Sequence, residues 1–231
     1  MSRADLGKDP EAVATMFDAV ARRYDHVNDL LSLGRTKAWR KKVVKIIKPS
    51  SGMKILDIAA GPGSSSEPLH KAGSDVISLD FSDGMLEQGR KARPYLKFVK
   101  GDALKLPFGD NEFDVTTISF GLRNTKDYEA ALREAFRVTK EGGRMVIAEF
   151  STPSVSLFRK IYMNYLMKSL PTIARKTSSN PVAYEYLAES IRAWPDQGEL
   201  ARKMSANGWK DPTWINLTGG VVAVHTGTKR S

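Results

Sequence analysis

The residues with the clearest chemical potential form a glycine turn, LDIAAGPGSSS, at residues 56–66. An apolar run that ends in glycines is typical of a strand followed by a turn that holds a nucleotide-like ligand against its backbone. Gly61, Pro62 and Gly63 are therefore candidate ligand contacts. A dinucleotide fingerprint would require a third glycine where this sequence has Ser66, and no P-loop lysine follows the turn.

Two acids beyond the turn narrow the choice of ligand. Asp80 ends the run DVISLD, 17 residues past Gly63, and suits a carboxylate that accepts hydrogen bonds from both hydroxyls of a ribose. Asp102 ends KFVKGD and precedes Ala103, as expected of a group near the amino edge of an adenine. Acids around a nucleoside repel a pyrophosphate but tolerate a sulfonium cation. The pattern favours S-adenosyl-L-methionine over NAD, although each acid alone could be an ordinary cap or turn residue.

Short apolar runs that alternate with helical patterns must position these residues. Helices are predicted within 11–48, over about 64–72, around 85–89, over 128–138 and over 155–170, where Phe158, Ile161, Tyr162, Tyr165 and Leu166 share one face. Because the strands are apolar on both faces, they indicate an α/β fold with a parallel sheet covered on each side. The C-terminal run predicts a hairpin near Gly219 and Gly220 at the sheet edge. The five earlier strands are predicted at 54–59, 75–80, 97–102, 113–120 and 144–150.

Length favours one domain over residues 1–231. Within it we predict an N-terminal helical region at 1–50, a cofactor-binding core at 51–150, a cap insertion at 151–200 and C-terminal sheet elements at 201–231. The absence of cysteine and the wide spacing of three histidines argue against a metal site. No signal peptide or membrane-spanning run is evident, so a soluble intracellular protein is expected.

The net charge of +10 is concentrated in two segments. Residues 1–56 have a net charge of +6 and residues 151–184 have +5, without any acidic residue. A solvated basic surface, nucleic acid and an anionic membrane are the three interpretations of such segments. No nucleic-acid-binding motif accompanies the charge, so we expect no nucleic-acid partner.

At these residues the sequence resembles the ubiquinone/menaquinone biosynthesis C-methyltransferases, which belong to the class I S-adenosylmethionine-dependent methyltransferases with a Rossmann-like sheet. The resemblance covers nearly the whole chain, and TISFGLRN and YLAESIR are distinctive of this family. Some positions depart from the family pattern: Val27, Thr36, Glu141 and Pro62, where a threonine is usual in the turn. The segments that carry the resemblance are 24–39, 103–114, 117–124, 137–151, 186–197 and 216–227.

The resemblance implies cofactor contacts at Asp80, Asp102, Ala103 and Ser119, and a prenylated quinol, preferentially demethylmenaquinol, as the acceptor. A ubiquinone precursor or another lipid or phenolic acceptor is the alternative, and a non-catalytic nucleic-acid-binding protein is a third, less favoured one. Arg123 is a candidate for stabilising quinolate charge or ordering a water, because a guanidinium stays protonated and cannot serve as a base. Tyr24, with Asp25, could line the same pocket from the N-terminal region.

A prenylated acceptor also suggests a function for the two basic segments, which is binding to a membrane surface. A lipid substrate must be taken from a membrane, and each Lys or Arg near an anionic leaflet contributes about 1 kcal/mol to binding. The sequence therefore predicts a cytoplasmic protein that binds peripherally to the inner face of the cell membrane, with a homodimer as a possible assembly.

Overall fold

A seven-stranded sheet forms the body of the protein. The computed structural model describes residues 6–20, 34–169 and 181–230. The apolar runs recognised in the sequence become strands because both of their faces are covered, as the nearly continuous burial of the first and fourth strands indicates. The strands are β1 Lys54–Ile58, β2 Asp75–Asp80, β3 Lys97–Lys100, β4 Phe113–Ser119, β5 Thr139–Phe150, β6 Lys210–Leu217 and β7 Val222–Thr228.

The strand order is β3-β2-β1-β4-β5-β7-β6. The first five strands pair in parallel, and β7 returns antiparallel to β5 with β6 at the edge. The predicted C-terminal hairpin is thereby confirmed. The order reverses between β1 and β4, and ligands bind beyond the carboxyl ends of the strands at such a switch point. The topology therefore directs attention to the residues that follow β1, β2, β3 and β4.

Helices cover the sheet through their apolar faces. In the helix that follows β4, Asp127 accepts a hydrogen bond from the Ala130 backbone N–H at 2.9 Å and caps the N-terminus. Its residues Leu132 and Val138 are buried against the sheet. The helices are α1 Pro10–Val20, α2 Thr36–Ile47, α3 Ser66–Lys71, α4 Asp83–Ala92, α5 Tyr128–Val138, α6 Ser156–Asn164, α7 Pro181–Arg192 and α8 Gln197–Ala206.

Two strand boundaries differ from the sequence predictions by two residues or more. β3 ends at Lys100, so Asp102 lies in the turn beyond the strand rather than at its last residue. β5 begins at Thr139, because Thr139 pairs with Phe113 of β4. Backbone hydrogen bonds between Lys229 and the glycines Gly142 and Gly143 then continue the strand through the expected turn. α6 continues as a π-helix at Tyr165–Ser169, so the two together match the helix predicted over 155–170, and on its predicted face Tyr162 is buried whereas Ile161 is exposed.

An apolar cluster rich in aromatic side chains lies between the sheet and the predicted cap. We call it the aromatic cluster: Trp39, Phe150, Tyr162, Leu166, Tyr184, Leu187, Ile191, Val221 and Val222, with Phe120, Phe158, Met163, Tyr165 and Leu217 at its margin. Its residues come from α2, β5, α6, α7 and the hairpin, so it joins the predicted cap to the sheet. The division of the chain into four regions stays a prediction, although one sheet contains strands from both 51–150 and 201–231.

His225 has a structural environment. It lies on β7, is buried, and its Nε2 is 2.9 Å from the Gln197 carbonyl oxygen. Burial lowers the pKa of its imidazole. These contacts tie β7 to the start of α8 and give this histidine a structural role.

Candidate active site

The glycine turn after β1 has a backbone that only small residues can supply. Gly61 and Gly63 have φ angles of 56° and 84°, in the left-handed region where glycine has no steric penalty. A Cβ atom on Gly63 would lie 2.9 Å from side-chain carbons of both Leu96 and Phe98. The Gly63 carbonyl oxygen in turn accepts a hydrogen bond from Glu67 N at 2.9 Å, which leads the chain into α3. The turn is therefore fixed in shape by the residues packed beneath it.

Pro62 lies between these glycines, with its carbonyl oxygen accepting a hydrogen bond from Arg93 Nη1 at 3.0 Å. Arg93 is itself held by an ion pair in which its Nε lies 2.9 Å from Glu67 Oε2. The Pro62 carbonyl oxygen is thus occupied by Arg93, the residue that follows α4. Pro62 is not among the residues that line the adjacent cleft. A role for Pro62 in cofactor binding stays a prediction, with shape rather than a polar group as its contribution.

Asp80 ends β2 and closes the glycine turn from the side. Its Oδ2 accepts from Gly61 N at 2.7 Å, and its Oδ1 accepts from Ser82 N at 2.9 Å. Burial raises the pKa of the Asp80 carboxyl, against the lowering effect of these N–H donors. Each carboxylate oxygen can accept a second hydrogen bond, so the side chain can organise the turn and still bind a hydroxyl.

Asp102 and Ala103 form the next wall. Asp102 Oδ1 accepts from Leu104 N at 2.8 Å, which folds the residues after β3 into a tight turn. Ser119 is the last residue of β4 and is partly buried, next to Phe120. These positions lie at the carboxyl ends of β3 and β4, two strands of the same parallel sheet, as expected of a site at that edge.

One cleft brings several predicted residues together. It encloses an empty volume of about 810 Å³, including the open space at its mouth, within the size range of ligand pockets. The predicted cofactor residues that line it are Gly61, Asp80, Asp102 and Ala103. Pro62, Gly63, Ser119 and Arg123 do not line it, although Phe120 and Gly121 beside them do.

Helix α1 covers this cleft. Val13 and Phe17 line it from above. Asp18 anchors the helix, because it accepts hydrogen bonds from the Ser82 hydroxyl and from Gly84 N, the latter at 2.9 Å. Helix α1 of the N-terminal region therefore lines the cleft, whereas Tyr24 and Asp25, the residues predicted to line it from this region, lie outside the described residues.

Asp57 is a buried acid that the sequence interpretation missed. It is on β1, and its Oδ2 accepts from the hydroxyls of Ser65 and Ser66, each at 2.6 Å. Its Oδ1 is buried and has no hydrogen-bond partner among the described residues. Burial raises the pKa of Asp57 to about 6, and the negative charge of Asp80 acts in the same direction. A charged residue inside an apolar strand, followed by a run of serines, was the signal that could have revealed it.

The buried Asp57 predicts a stability that falls as pH rises. Because its folded-state pKa is raised, the folded protein holds the proton more tightly than the unfolded chain, and this stabilisation is lost between about pH 4 and about pH 6. Asp57→Asn removes the titration, so its free energy of unfolding relative to the native chain should rise by about 2 kcal/mol between about pH 4.5 and about pH 7.5. Urea unfolding of both proteins at the two pH values measures this. A difference independent of pH would contradict the prediction, and Asp211→Asn, at an exposed acid, controls for loss of one charge.

Arg123 forms a buried ion pair and does not line the cleft. It lies in the 3₁₀ turn Leu122–Asn124, and its Nη1 is 2.7 Å from Glu149 Oε1 and donates to the Phe120 carbonyl oxygen at 2.6 Å. Glu149 also accepts from the backbone N–H groups of Arg123 and Phe150. The side chains are 4% and 1% exposed. The Arg123 guanidinium stacks over the Phe150 ring with Cζ 5.1 Å from its centroid, and its Nε has no partner in the described part of the chain.

Lys8 is a second cation that the sequence interpretation did not single out. It lines the cleft, and its Nζ lies 5.9 Å from the centroid of the Trp194 ring. Burial lowers the pKa of Lys8, the positive charge of Arg123 lowers it further, and Glu149 opposes them. No carboxylate of residues 6–20, 34–169 or 181–230 pairs directly with Lys8. Since Glu149 neutralises Arg123, Lys8 carries the excess positive charge near this pair.

The residues present fit S-adenosylmethionine. Asp57, Asp80 and Asp102 place three carboxyl groups around the turn, and Asp57 retains a buried oxygen without a partner in the described residues. This charge pattern favours a cationic ligand and disfavours a pyrophosphate. Asp80 would hold the ribose, and Asp102 with Ala103 would border the adenine. Within the described residues, no cluster of acidic and histidine side chains suited to a metal ion is found.

The sheet order, the turn after β1 and the acids after β2 and β3 define a class I methyltransferase. Solved methyltransferases share this fold: one from Thermotoga maritima, titled a SAM-dependent methyltransferase and possible histamine N-methyltransferase, has a TM-score of 0.70 at 22% identity, covering 94% of this chain and all of that one. Another, a putative methyltransferase from Methanococcus maripaludis, has a TM-score of 0.62 at 20% identity and covers 100% of this chain and 98% of that one.

The chain belongs to the ubiE/COQ5 methyltransferase family, whose pattern matches residues 5–229. A demethylmenaquinone methyltransferase from Paenarthrobacter aurescens is 58% identical, covering 99% of this chain and 90% of the relative. An enzyme of the same name from Streptomyces avermitilis is 56% identical over 99% of each chain. The predictions of family, of a class I methyltransferase and of S-adenosylmethionine as methyl donor are confirmed. The roles of individual site residues stay predictions.

Proposed function

We propose that this protein methylates a ring carbon of a prenylated quinol, with demethylmenaquinol as its acceptor and menaquinol as the product. The observation that carries the proposal is the similarity, at 53–58% identity over 99% of the chain, to relatives named demethylmenaquinone methyltransferase. The cleft supports it chemically, because it joins a nucleoside site to an aromatic wall beside Arg123 and Lys8.

The cofactor, when bound, supplies an electrophilic methyl group on a sulfonium. Asp80, Asp102 and Ala103 orient it, and α1 excludes water from above through Val13 and Phe17. The methyl would pass from the sulfonium to the ring carbon as its bond to sulfur breaks, and the hydrogen displaced from that carbon would leave as a proton to water. Alignment of the two reacting atoms is the main contribution of such a site.

An aromatic carbon becomes a good nucleophile when a neighbouring hydroxyl is ionised, and a phenol with a pKa of about 10 is mostly protonated at neutral pH. Positive charge near the acceptor favours the quinolate. Arg123 is held by Glu149, and Lys8 and Lys126, which both line the cleft, add positive charge there. Arg123 stays protonated and therefore stabilises charge or orders a water rather than accepting the proton.

Methyl transfer to defined acceptors tests this proposal. The protein is incubated with methyl-labelled S-adenosylmethionine and either reduced demethylmenaquinone or a reduced ubiquinone precursor that lacks the ring methyl. Labelled menaquinol is the expected product. Label only in the ubiquinone precursor would move the assignment to the second acceptor, and no labelled product from either would contradict the proposal.

The exposed face of α6 supports peripheral membrane binding, which we include in the proposed function. Val155 before α6 and Leu157 and Ile161 on it are 59%, 69% and 59% exposed, beside the basic residues Arg159 and Lys160. Apolar side chains rimmed by lysine and arginine suit an anionic bilayer surface. Among the described residues, no helix has both the length and the apolar composition to cross a bilayer.

Replacing Leu157 and Ile161 together with serine should weaken binding to vesicles that contain phosphatidylglycerol. Loss of two exposed apolar side chains removes insertion, at about 0.8 kcal/mol per buried methylene, so we expect at least a tenfold weaker association. Sedimentation with vesicles measures it, and higher salt should weaken binding of the native chain further. Ile215→Ser, at an exposed apolar residue on β6, is the matched control. Equal sedimentation of native and doubly substituted protein, at any salt, would refute this surface.

A further inference from the structure

Tyr162 on α6 carries a hydroxyl that the fold does not use. The residue is 7% exposed, and its Oη is buried without a hydrogen-bond partner among the described residues. A buried polar group left unpaired is unfavourable, and native proteins pair nearly all such groups. A phenylalanine would fill the same space without this disadvantage, so the hydroxyl calls for a reason outside the packing of the protein.

A second unpaired donor lies in the same region. Arg123 Nε is also buried without a partner in the described residues, and the Arg123 guanidinium stacks on Phe150, a member of the aromatic cluster that contains Tyr162. The charge of Arg123 acts on Tyr162, lowering the pKa of its phenol, while burial raises that pKa and prevails. Tyr162 therefore stays protonated at neutral pH and can donate a hydrogen bond.

The aromatic cluster meets the cofactor cleft at Phe120. Phe120 lines the cleft, and its ring centroid lies 5.1 Å from that of Phe150 and 6.0 Å from that of Trp39. A flat aromatic acceptor that enters beside the cofactor would therefore meet Phe120 first and the two unpaired donors behind it. These donors match the oxygen atoms of a quinol, while the rings around them match its carbon skeleton.

We propose that Tyr162 is a substrate-contacting residue whose hydroxyl donates a hydrogen bond to a ring oxygen of the quinol, next to Arg123. This rests on the proposed function. Because Tyr162 Oη is buried, the proposal requires α6 and the π-helix Tyr165–Ser169 to move away from the sheet when the quinol binds. π-helical turns within longer helices occur frequently at functional sites, and this one begins three residues after Tyr162.

Tyr162→Phe separates this role from a structural one, because the two predict opposite results. If the hydroxyl only packs, its removal should leave methyl transfer unchanged. If it binds the quinol, kcat/KM for demethylmenaquinol should fall about 10- to 100-fold, as for loss of one hydrogen bond to a developing negative charge. The midpoint of thermal unfolding should not fall in either case, since the hydroxyl has no partner in the described structure. The dissociation constant of S-adenosylmethionine should stay within about twofold of the native value.

Tyr128→Phe is the matched control, because it removes a hydroxyl from a partly buried tyrosine on α5 that packs outside the aromatic cluster and does not line the cleft, so it should keep the native kcat/KM. Native kcat/KM in Tyr162→Phe would overturn the inference while leaving the proposed function intact. An equal loss in both variants, or a loss of cofactor affinity in Tyr162→Phe, would also overturn it. Absence of methyl transfer by the native protein would overturn the proposed function and this inference together.

Discussion

Arg123→Met is expected to destabilise the protein by about 3–5 kcal/mol, and Glu149→Gln by a similar amount. The two side chains are 4% and 1% exposed, and either change leaves a buried charge without its partner. Breaking a buried ion pair from one side generally has an effect of this size. Urea unfolding of each variant measures it. Lys97→Met, which breaks the exposed pair with Asp75, should change the free energy of unfolding by less than about 1 kcal/mol.

The double variant Arg123→Met with Glu149→Gln distinguishes a catalytic role of the ion pair from a purely structural one. Removing both charges together should restore much of the lost stability, because no buried charge remains uncompensated. If Arg123 stabilises quinolate charge, this stable double variant should still lose about 10²–10³ in kcat, as expected for removal of one preorganised electrostatic donor. Recovery of activity together with stability would instead assign Arg123 a purely structural role.

The strand pattern and the glycine turn could be predicted from the sequence because both are local. Apolar runs on both faces of a strand specify a covered parallel sheet, and glycines specify positive φ angles. Asp80 was recognised because it ends an apolar run at a spacing typical of nucleoside sites. Asp102 was recognised too, although the structure places it in the turn beyond β3.

The residues that sequence reasoning missed share a physical cause. Asp57 and Glu149 are acids inside apolar strands, and such residues are buried only when partners in the fold satisfy them. Asp57 is satisfied by Ser65 and Ser66, 8 and 9 residues away, whereas Glu149 pairs with Arg123, 26 residues away. Lys8 acts electrostatically on that second pair from the N-terminal region. The spacing of apolar residues along the sequence indicates which face of a helix or strand a residue occupies. It does not indicate which distant side chain packs against that residue. Helical spacing likewise places Ile161 on one face with Tyr162, yet Tyr162 is buried and Ile161 lies exposed on α6.

Asp80→Asn is expected to weaken S-adenosylmethionine binding by about 100-fold or more. The amide keeps one acceptor oxygen and places an N–H donor against a backbone N–H of Gly61 or Ser82. It also replaces hydrogen bonds from ribose hydroxyls to a carboxylate, which contribute about 1.5–3 kcal/mol each. Because each 1.4 kcal/mol is a factor of ten in affinity, two weakened bonds account for the expected loss. Titration calorimetry measures the dissociation constant, with Asp75→Asn at the start of the same strand as the control.

Comparing the methyl donor with its demethylated product identifies which part of the cofactor Asp80 holds. The two ligands share the ribose, but only the donor has a sulfonium charge. If Asp80 binds the ribose, Asp80→Asn should weaken both ligands by the same factor within about threefold, because the lost hydrogen bonds are common to them. A selective loss of the donor would mean that Asp80 acts instead through long-range attraction of the sulfonium. The ribose would then depend on a different group at the carboxyl edge of the sheet, and the assignment made from the spacing after Gly63 would be wrong.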